Sequence, residues 1–305
     1  MWGIKSPDES LQTMFMLTKE GVGKYFVLQD NKVVVENSKL GLVTDIADFT
    51  SGLSFEGQSE VQEVVDEYDL YGAKVSKVKA VGNEMILSFA KDNAQLNVIV
   101  RMYDNGMAFR YEVKGEDGEA MSVSSEGTTM TLPGDSMAYA MDYINHNEEI
   151  ERKHKALELT SDYCMPLLYQ VDDTWCLISE AELSPEYFGT YLKGDGTGSL
   201  NFHFSKEQKG DVSTESPLTT PWRYVVIGTA EEVNLNTMGE TLSPDCEGDF
   251  SWVQPGVTAW TWLNRESTSD FNTYKKYVDF AAQMQWEYLL LDEGWQPKGN
   301  TQGHS

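Results

Sequence analysis

Short runs of β-type alternation extend from about residue 25 to about residue 227, separated by clusters of Gly, Asn, Asp and Ser. Apolar side chains recur at every second position of these runs, whereas a helical period of 3.6 is almost absent. Candidate strands cover residues 25–28, 32–36, 77–81, 85–89, 121–125, 175–179, 200–204 and 224–227. A spacing of about ten residues is typical of an antiparallel β-sandwich rather than of βαβ units. We therefore expect a large, mainly β body.

The clearest hairpin is predicted around Asp104-Asn105-Gly106. Apolar side chains alternate on both sides of this tripeptide, at Leu96, Val98, Val100, Met102, Met107, Phe109, Tyr111 and Val113. Asn105 and Gly106 are expected to supply the positive φ values that a tight hairpin turn needs. The alternation predicts that one face of each strand points to a core.

The pattern changes after Asp245. Residues 257–263 form a short aromatic-rich run, and apolar residues then recur at helical spacing, at Phe271, Tyr274, Val278 and Ala281. Ser269 or Asp270 is the candidate N-cap of this predicted amphipathic helix. Residues 288–291 form a continuous apolar run, which is typical of a parallel strand buried on both faces. The order strand, helix, strand predicts one βαβ unit.

A single βαβ unit cannot close a parallel barrel, because a closed (β/α)8 barrel takes about 250 residues. Residues 252–305 are far too few for that. A strand without neighbours would leave Leu289, Leu290 and Leu291 exposed, at a cost of about 1.5–3 kcal/mol for each side chain. We therefore expect the chain to be a fragment of a longer protein.

The charge of the chain restricts its partners. There are 49 acidic and 23 basic residues, for a formal net charge of −26. Such a chain repels the phosphate backbone, so nucleic acid is not expected as a partner. A solvated acidic coat is the simpler explanation of this charge, and a neutral sugar or an oxygen-bound cation is also compatible with it. No apolar run approaches the about 18 residues of a membrane-spanning helix, so no membrane span is expected.

Other kinds of chemistry lack the residues that they need. Cys164, Cys176 and Cys246 are too few and too irregular for a zinc site or a disulfide framework, and their pairing stays open. The glycine-rich residues 194–198 lie between two candidate strands and are interpreted as a hairpin loop, not as a phosphate loop. Arg223 is expected to be a structural ion-pair partner.

Several blocks of the sequence resemble glycoside hydrolase family 97, a family of α-glucosidases and α-galactosidases. The blocks follow one another along nearly the whole chain, at residues 38–41, 103–111, 179–183, 220–223, 255–256, 277–282 and 288–295. Each block is weakly specific by itself, and their shared order and spacing carry the resemblance. The chain departs from the family at Trp262-Leu263, preceded by Trp260, where the family usually has paired tryptophans.

The resemblance implies a galactose-mutarotase-like β-supersandwich over residues 1–248. Residues 249–305 are then the first βαβ unit of a truncated catalytic TIM barrel, an incomplete (β/α)8 barrel. The catalytic acid and the base or nucleophile of this family lie on later barrel strands, so no catalytic residue is expected in this chain and the fragment is expected to be inactive. A periplasmic or secreted location is implied by the family, although residues 1–17 contain no signal-peptide core.

The resemblance also implies a calcium ligand and substrate contacts. The residue pattern alone makes Glu180 a strand-end carboxylate facing solvent, whereas its match to the family implies that it binds calcium. Calcium takes six to eight oxygen ligands, so one carboxylate is expected to bind it weakly in this chain alone. Asp292 and Glu293 at a strand end are candidate substrate contacts, and at most one of them can point inward. Trp295 is a candidate platform for a sugar ring.

Two other functions stay open. The chain could be a non-catalytic carbohydrate-binding or scaffold module that uses the concave face of the sandwich, or a protein-interaction domain. An oligosaccharide or α-glycoside is the expected substrate of the whole enzyme. Glucoside or galactoside specificity, retention or inversion, and the oligomeric state are not predicted.

Overall fold

The computed structural model describes residues 1–267 and 270–293. By its internal contacts the chain divides into two compact units, Met1–Asp245 and Cys246–Ser305. None of the helices in the described part of the chain is long and apolar enough to cross a membrane. The prediction for Trp295 lies outside the described residues.

The first unit consists mainly of antiparallel strands. Its strands are β1 Trp2–Lys5, β2 Leu11–Leu17, β3 Gly23–Gln29, β4 Lys32–Lys39, β5 Leu42–Thr44, β6 Ser54–Gln58, β7 Gln62–Asp69, β8 Lys77–Lys91, β9 Ala94–Tyr103, β10 Gly106–Lys114, β11 Ala120–Glu126, β12 Thr129–Thr131, β13 Met137–Ala140, β14 Arg152–Lys155, β15 Asp162–Tyr163, β16 Leu167–Val171, β17 Thr174–Ala181, β18 Thr190–Gly194, β19 Ser199–Phe204, β20 Val212–Glu215, β21 Leu218–Thr219 and β22 Trp222–Gly228. A short 3-10 helix covers Ala156–Glu158, and two short helices follow the last strand, α1 Ala230–Asn234 and α2 Met238–Thr241.

The strands of the first unit form two large sheets and one small sheet. An 8-stranded sheet has the order β1-β2-β3-β4-β12-β19-β18-β15. An 11-stranded sheet has the order β14-β13-β16-β17-β22-β10-β9-β8-β6, with β21 paired to β10 and β7 paired to β8. A 3-stranded sheet has the order β20-β11-β5. The predicted mainly β, antiparallel fold is confirmed.

The two large sheets share one apolar core, which explains why their strands alternate. Tyr25 of β3 and Phe109 of β10 are both fully buried, and their ring centroids lie 5.2 Å apart. The Tyr169 hydroxyl of β16 donates a hydrogen bond of 2.8 Å to the Val34 carbonyl of β4. Inward side chains from the two sheets therefore pack against each other as in a β-sandwich.

The hairpin predicted around residues 104–106 is confirmed, but its glycine has a different role. Tyr103 pairs with Gly106, so Asp104 and Asn105 form the loop. Neither Asn105 nor Gly106 has a positive φ. A Cβ at Gly106 would lie 2.4 Å from the Val225 carbonyl oxygen of β22. The glycine is therefore needed for the close approach of two strands, and the expected positive φ values are wrong.

The two strands expected at residues 77–81 and 85–89 are one 15-residue strand, β8. The strand is not interrupted at Gly82, because this residue pairs with Val64 of β7 on one side and with Tyr103 of β9 on the other. A Cβ at Gly82 would lie 2.8 Å from the Tyr103 ring. Packing against this ring, rather than a turn, therefore explains the glycine.

The second unit contains the predicted order strand, helix, strand. Its elements are β23 Thr258–Trp260, a 3-10 helix at Trp262–Asn264, α3 Phe271–Met284 and β24 Tyr288–Leu290. β23 and β24 pair in parallel. Asp270 is the N-cap of α3, since its side chain accepts a hydrogen bond of 2.7 Å from the Thr273 N–H.

The second strand of this unit is not buried on both faces. Tyr288 and Leu290 are each 43% exposed, because β23 is the single strand paired to β24 within the described residues. The assignment of residues 249–305 to a barrel stays a prediction.

Candidate functional site

Glu180 lies near the end of β17 and points to the inside of the first unit. Side chains of a strand alternate between its two faces, and Cys176 and Ile178 of β17 are fully buried in the core. Glu180 continues this inward row, and its side chain is 10% exposed. The interpretation of Glu180 as a solvent-facing carboxylate is therefore wrong, because β17 keeps its pairing with β22 up to Ala181.

Arg223 of β22 lies directly opposite Glu180 in the strand register. Its Nη1 donates a hydrogen bond of 2.7 Å to Glu180 Oε2. On its other side, Nε donates to Glu126 Oε2 at 3.2 Å and Nη2 donates to Glu126 Oε1. The expectation that Arg223 is an ion-pair partner is confirmed. We call Glu126, Arg223 and Glu180 the ion triad.

Glu126 was not identifiable from the alternation of its strand. Met121 and Val123 of β11 are buried, and a strict period of two would place position 126 on the opposite, outer face. A β-bulge between Val123 and Ser125 shifts the register by one residue. Glu126, the last residue of β11, therefore points inward, and a bulge of this kind has no clear sequence signature.

The ion triad carries more negative than positive charge. Burial raises the pKa of the Glu180 carboxyl, while Arg223 and the hydrogen bonds from Thr190 oppose this rise. Burial by itself lowers the pKa of Arg223, but the charges of Glu126 and Glu180 outweigh it and raise that pKa above its usual value. When both carboxyls are ionised, one guanidinium faces two carboxylates, so one negative charge is not neutralised within the triad.

Further hydrogen bonds fix the two carboxylates. Glu180 Oε1 accepts from the Thr190 backbone N–H at 3.1 Å, and Glu180 Oε2 accepts from the Thr190 hydroxyl at 2.7 Å. The Tyr187 hydroxyl donates to Glu126 Oε1 at 3.0 Å. Charge-assisted hydrogen bonds of this kind are stronger than neutral ones, so the triad is held in one geometry.

A polar cleft of about 490 Å³ lies beside Glu180. It is lined by hydroxyl, amide and carboxylate side chains together with a few apolar ones, namely Tyr143, Ile144, Asn145, Asn147, Cys164, Met165, Ser179, Glu180, Leu183, Gly189, Thr190, Ser205 and Glu207. The Tyr143 hydroxyl donates to Glu207 and lies 2.9 Å from the Ser205 hydroxyl. This lining offers hydrogen-bond acceptors and the two carboxylates of Glu180 and Glu207 to a cation or to a sugar.

The described residues do not make a complete calcium site by themselves. Among residues 1–267 and 270–293, no group of three or more His, Cys, Asp or Glu side chains could hold a metal ion. Calcium needs six to eight oxygens. Glu180 offers two oxygens, and both already accept hydrogen bonds from Thr190 or Arg223. Any calcium bound at Glu180 needs further ligands.

Glu182, just beyond β17, belongs to a separate ion pair. Its Oε2 accepts hydrogen bonds from Arg110 Nη1 at 2.7 Å and from Trp222 Nε1 at 3.0 Å. The guanidinium of Arg110 lies over the Trp222 ring, 4.3 Å from its centroid. Glu182 adopts a left-handed backbone conformation with φ of 58°. These contacts anchor the chain immediately after Glu180.

Asp292 of the second unit lies where β24 ends. Its Oδ2 accepts a hydrogen bond of 2.9 Å from the indole N–H of Trp260, the last residue of β23. Its Oδ1 accepts a hydrogen bond of 2.7 Å from the backbone N–H of Glu293. Glu293 itself is exposed. The structure thus brings Asp292 together with Trp260, at the end of parallel strands where barrels place their chemistry.

Comparison with known proteins relates this chain to glycoside hydrolases. A family model described as Glycosyl-hydrolase 97 N-terminal matches residues 4–244. A probable retaining alpha-galactosidase of Streptomyces bingchenggensis (strain BCW-1) is 30% identical over 275 residues, which cover 88% of this chain and 42% of the relative. The chain thus spans less than half of the length of this curated relative.

Solved structures show the same fold. The crystal structure of a beta-arabinopyranosidase superimposes with a TM-score of 0.83 at 25% identity, covering 99% of this chain and 52% of that protein. A glycoside hydrolase family 97 enzyme from Pseudoalteromonas sp. strain K8, in complex with panose, superimposes with a TM-score of 0.81 at 22% identity. That comparison covers 97% of this chain and 48% of the enzyme.

Proposed function

Because this chain belongs to glycoside hydrolase family 97, whose N-terminal domain it contains, we propose that it is the N-terminal part of a calcium-dependent enzyme that hydrolyses α-galactosides. α-Glucosides are the alternative substrates. The 30% identity to a probable retaining alpha-galactosidase favours galactosides. The complex of a more distant relative with panose keeps the glucoside alternative open.

The observation that carries this proposal is the position of Glu180 at the wall of the polar cleft. Its carboxylate is almost buried on the inward face of β17 and also lines the cleft. The ion triad and Thr190 hold it there. A carboxylate that is fixed in place loses little conformational freedom when it binds a ligand, so it is well suited to a metal or a sugar hydroxyl.

Calcium is part of the proposal because the triad leaves one negative charge unbalanced. We propose that Glu180 is one calcium ligand of the whole enzyme and that the other ligands come from elsewhere in that enzyme. A bound calcium ion would supply positive charge next to the substrate. This chain alone then binds calcium weakly, since one carboxylate provides at most two of the six to eight oxygens.

The second unit is proposed to contribute to substrate binding. Asp292 keeps free lone pairs beside its two hydrogen bonds, and these can accept hydrogen bonds from sugar hydroxyls. Glu293 is the alternative contact. Trp295, outside the described residues, is proposed as a stacking platform for a sugar ring.

Hydrolysis is not proposed for the chain by itself. A glycosidase of this kind uses two carboxyl groups on either side of the scissile bond, about 5–9.5 Å apart. Glu126 and Glu180 both bind Arg223, and Asp292 and Glu293 are adjacent in sequence. We propose that the catalytic acid and its partner are supplied by other parts of the enzyme. An exported location, periplasmic or secreted, is also proposed on the family relationship.

Calcium titration tests the role of Glu180. In the whole enzyme, hydrolysis of 4-nitrophenyl α-galactoside should be lost in EDTA and restored by CaCl2. Glu180→Gln removes one ligand charge, so the CaCl2 concentration that restores half of the activity should rise by about tenfold to a hundredfold. Glu67→Gln, which removes an exposed carboxylate of β7 outside the cleft, is the matched control and should change this concentration by less than about threefold.

Calorimetry on the 305-residue chain provides an independent check. CaCl2 should bind with a Kd no tighter than about 1 mM. Micromolar binding that disappears in Glu180→Gln would show that the chain alone already contains the full site, contrary to the proposal. Activity in the whole enzyme that is insensitive to EDTA would contradict calcium dependence itself.

A further inference from the structure

A second groove lies on the outer face of the 11-stranded sheet, on the side opposite the shared core. Its volume is about 500 Å³. One wall is the sheet and the other is α1, and one residue of the β7–β8 loop completes the lining. The lining residues are Lys74, Leu168, Trp175, Leu177, Ala230, Val233, Asn234 and Asn236. None of these residues belongs to the ion triad or to the polar cleft. The groove is therefore a separate feature of the first unit.

Trp175 gives this groove an aromatic wall. It lies on the outer face of β17, since the neighbouring Cys176 points inward. Its ring stacks on that of Tyr139 in β13, with centroids 5.7 Å apart and planes inclined by 29°. Lys153 lies over the Tyr139 ring, with Nζ 5.6 Å from the centroid. Tyr139 therefore supports the indole ring in one orientation.

The polar atoms near the groove show what kind of ligand it suits. Within the described residues, neither the Trp175 indole N–H nor the Tyr139 hydroxyl has a hydrogen-bond partner, and neither is buried. The one cation of the lining is already engaged, because Lys74 Nζ donates to Asn234 Oδ1 at 2.6 Å and to its carbonyl at 3.1 Å. The groove thus offers aromatic and aliphatic side chains and a free donor, beside a lysine whose ammonium group already hydrogen-bonds two neutral oxygens.

We infer that this groove is a second, non-catalytic binding site for neutral oligosaccharides. A pyranose ring has apolar C–H faces and a rim of hydroxyls, which match an aromatic face with a polar atom at its edge. A groove of this size falls within the range of small-ligand sites, about 300–1,000 Å³. The net charge of −26 disfavours anionic ligands. The inference rests on the proposed function only for the choice of sugars to test.

The site would act by keeping glycan chains near the enzyme. Attachment of one part of a chain raises the effective concentration of its other parts at a second site of the same protein. The gain does not require that the groove contact the reacting bond. Weak binding at the groove is therefore sufficient for this role.

The test uses the 305-residue chain labelled with 15N-tryptophan. Panose, an α-glucoside, and raffinose, an α-galactoside, are titrated to about 20 mM while the indole N–H resonances are followed, and Trp175→Phe assigns the Trp175 resonance. With at least one of these sugars the Trp175 resonance should shift and saturate, with a Kd of the order of 1 mM. No shift with either sugar would overturn the inference and would leave the calcium test of Glu180 unaffected.

A matched pair of arginine variants on α1 tests where the sugar binds. Ala230→Arg places a long side chain in the groove, and Glu231→Arg places the same side chain on the next residue, which does not line the groove. Ala230 and Glu231 are both exposed, so neither variant disturbs the core. Binding should weaken at least about tenfold in Ala230→Arg and change by less than about twofold in Glu231→Arg.

Two other results would overturn the inference. Equal binding by the wild-type chain and Ala230→Arg would place the sugar elsewhere. A shift of the Trp175 resonance with protein concentration alone, accompanied by a larger mass in light scattering, would instead make the groove a contact between two copies of the chain.

Discussion

Arg223→Met should lower the free energy of unfolding of the first unit by about 3–5 kcal/mol. The Arg223 side chain is 2% exposed and is the cation of the ion triad for both Glu126 and Glu180. Its removal leaves two buried carboxylates next to each other with no positive partner. Urea unfolding followed by far-UV circular dichroism measures the loss, since nearly all strands lie in this unit.

The loss in Arg223→Met should depend on pH. Without the guanidinium, the pKa of the Glu180 carboxyl should rise further in the folded state, because burial and the charge of Glu126 raise it and Arg223 no longer opposes them. A group with a raised folded-state pKa stabilises the protein below its unfolded pKa and loses that contribution as pH rises through the folded pKa. The difference from wild type should therefore be smaller at pH 5 than at pH 8.

Two variants separate the ion triad from general effects of removing an arginine. Arg152→Met removes an exposed guanidinium that lies 3.6 Å from Asp142, and it should cost less than about 1 kcal/mol. Adding Glu126→Gln and Glu180→Gln to Arg223→Met removes the unpaired charges and should restore most of the lost stability. A cost below about 1 kcal/mol for Arg223→Met alone would mean that the triad is not formed in solution.

Phe109→Ala should cost about 3–5 kcal/mol of unfolding free energy. The Phe109 ring is fully buried, 5.2 Å from the Tyr25 ring of the other large sheet and 5.9 Å from that of Tyr111. Truncation to alanine removes apolar contacts on both sides and leaves a cavity between the sheets. The same urea unfolding experiment measures this loss.

Tyr71→Ala is the matched control for Phe109→Ala. Tyr71 is 84% exposed, so its truncation should change the free energy of unfolding by no more than about 0.5 kcal/mol. Similar losses in the two variants would contradict the assignment of Phe109 to the core between the sheets.

Much of the fold could be predicted because alternation reports directly on burial. Leu96, Val98 and Val100 recur at every second position, and all three are fully buried on the inner face of β9. The N-cap of α3 could also be predicted, because the side chain of Asp270 bonds to the backbone of its own helix. In both places the local sequence and the tertiary structure impose the same pattern.

Glycines and strand ends were predicted less well, because their roles depend on neighbouring strands. The break expected between residues 81 and 85 and the positive φ expected at Gly106 are both absent. Each of Gly82 and Gly106 is instead required by a group of another strand, the Tyr103 ring and the Val225 carbonyl. A single sequence does not show which strand will lie alongside. The missing information is the pairing of strands, not the local propensity of the chain.

The candidate site was predicted in part. Glu180 and Arg223 were recognised separately, but their pairing depends on the register between β17 and β22. Glu126 was missed because the bulge in β11 reverses the expected direction of its side chain. The contact between Trp260 and Asp292 joins residues that lie 32 positions apart on two parallel strands. The roles of Asp292, Glu293 and Trp295 in substrate binding stay predictions.

The ion triad also limits how this sequence can change over evolutionary time. Replacement of Glu126, Arg223 or Glu180 alone by an apolar residue changes the net charge of the buried triad and removes a hydrogen-bond partner of the residues that remain. Loss of the arginine leaves two buried carboxylates without a positive partner. Replacement of all three residues together by apolar residues of similar volume can instead be neutral or even stabilising. The two stable arrangements are thus separated by destabilised intermediates, and a lineage can exchange one for the other only through them. The three residues can therefore be retained together because the intermediate sequences are unstable, even where the ion triad itself adds no stability.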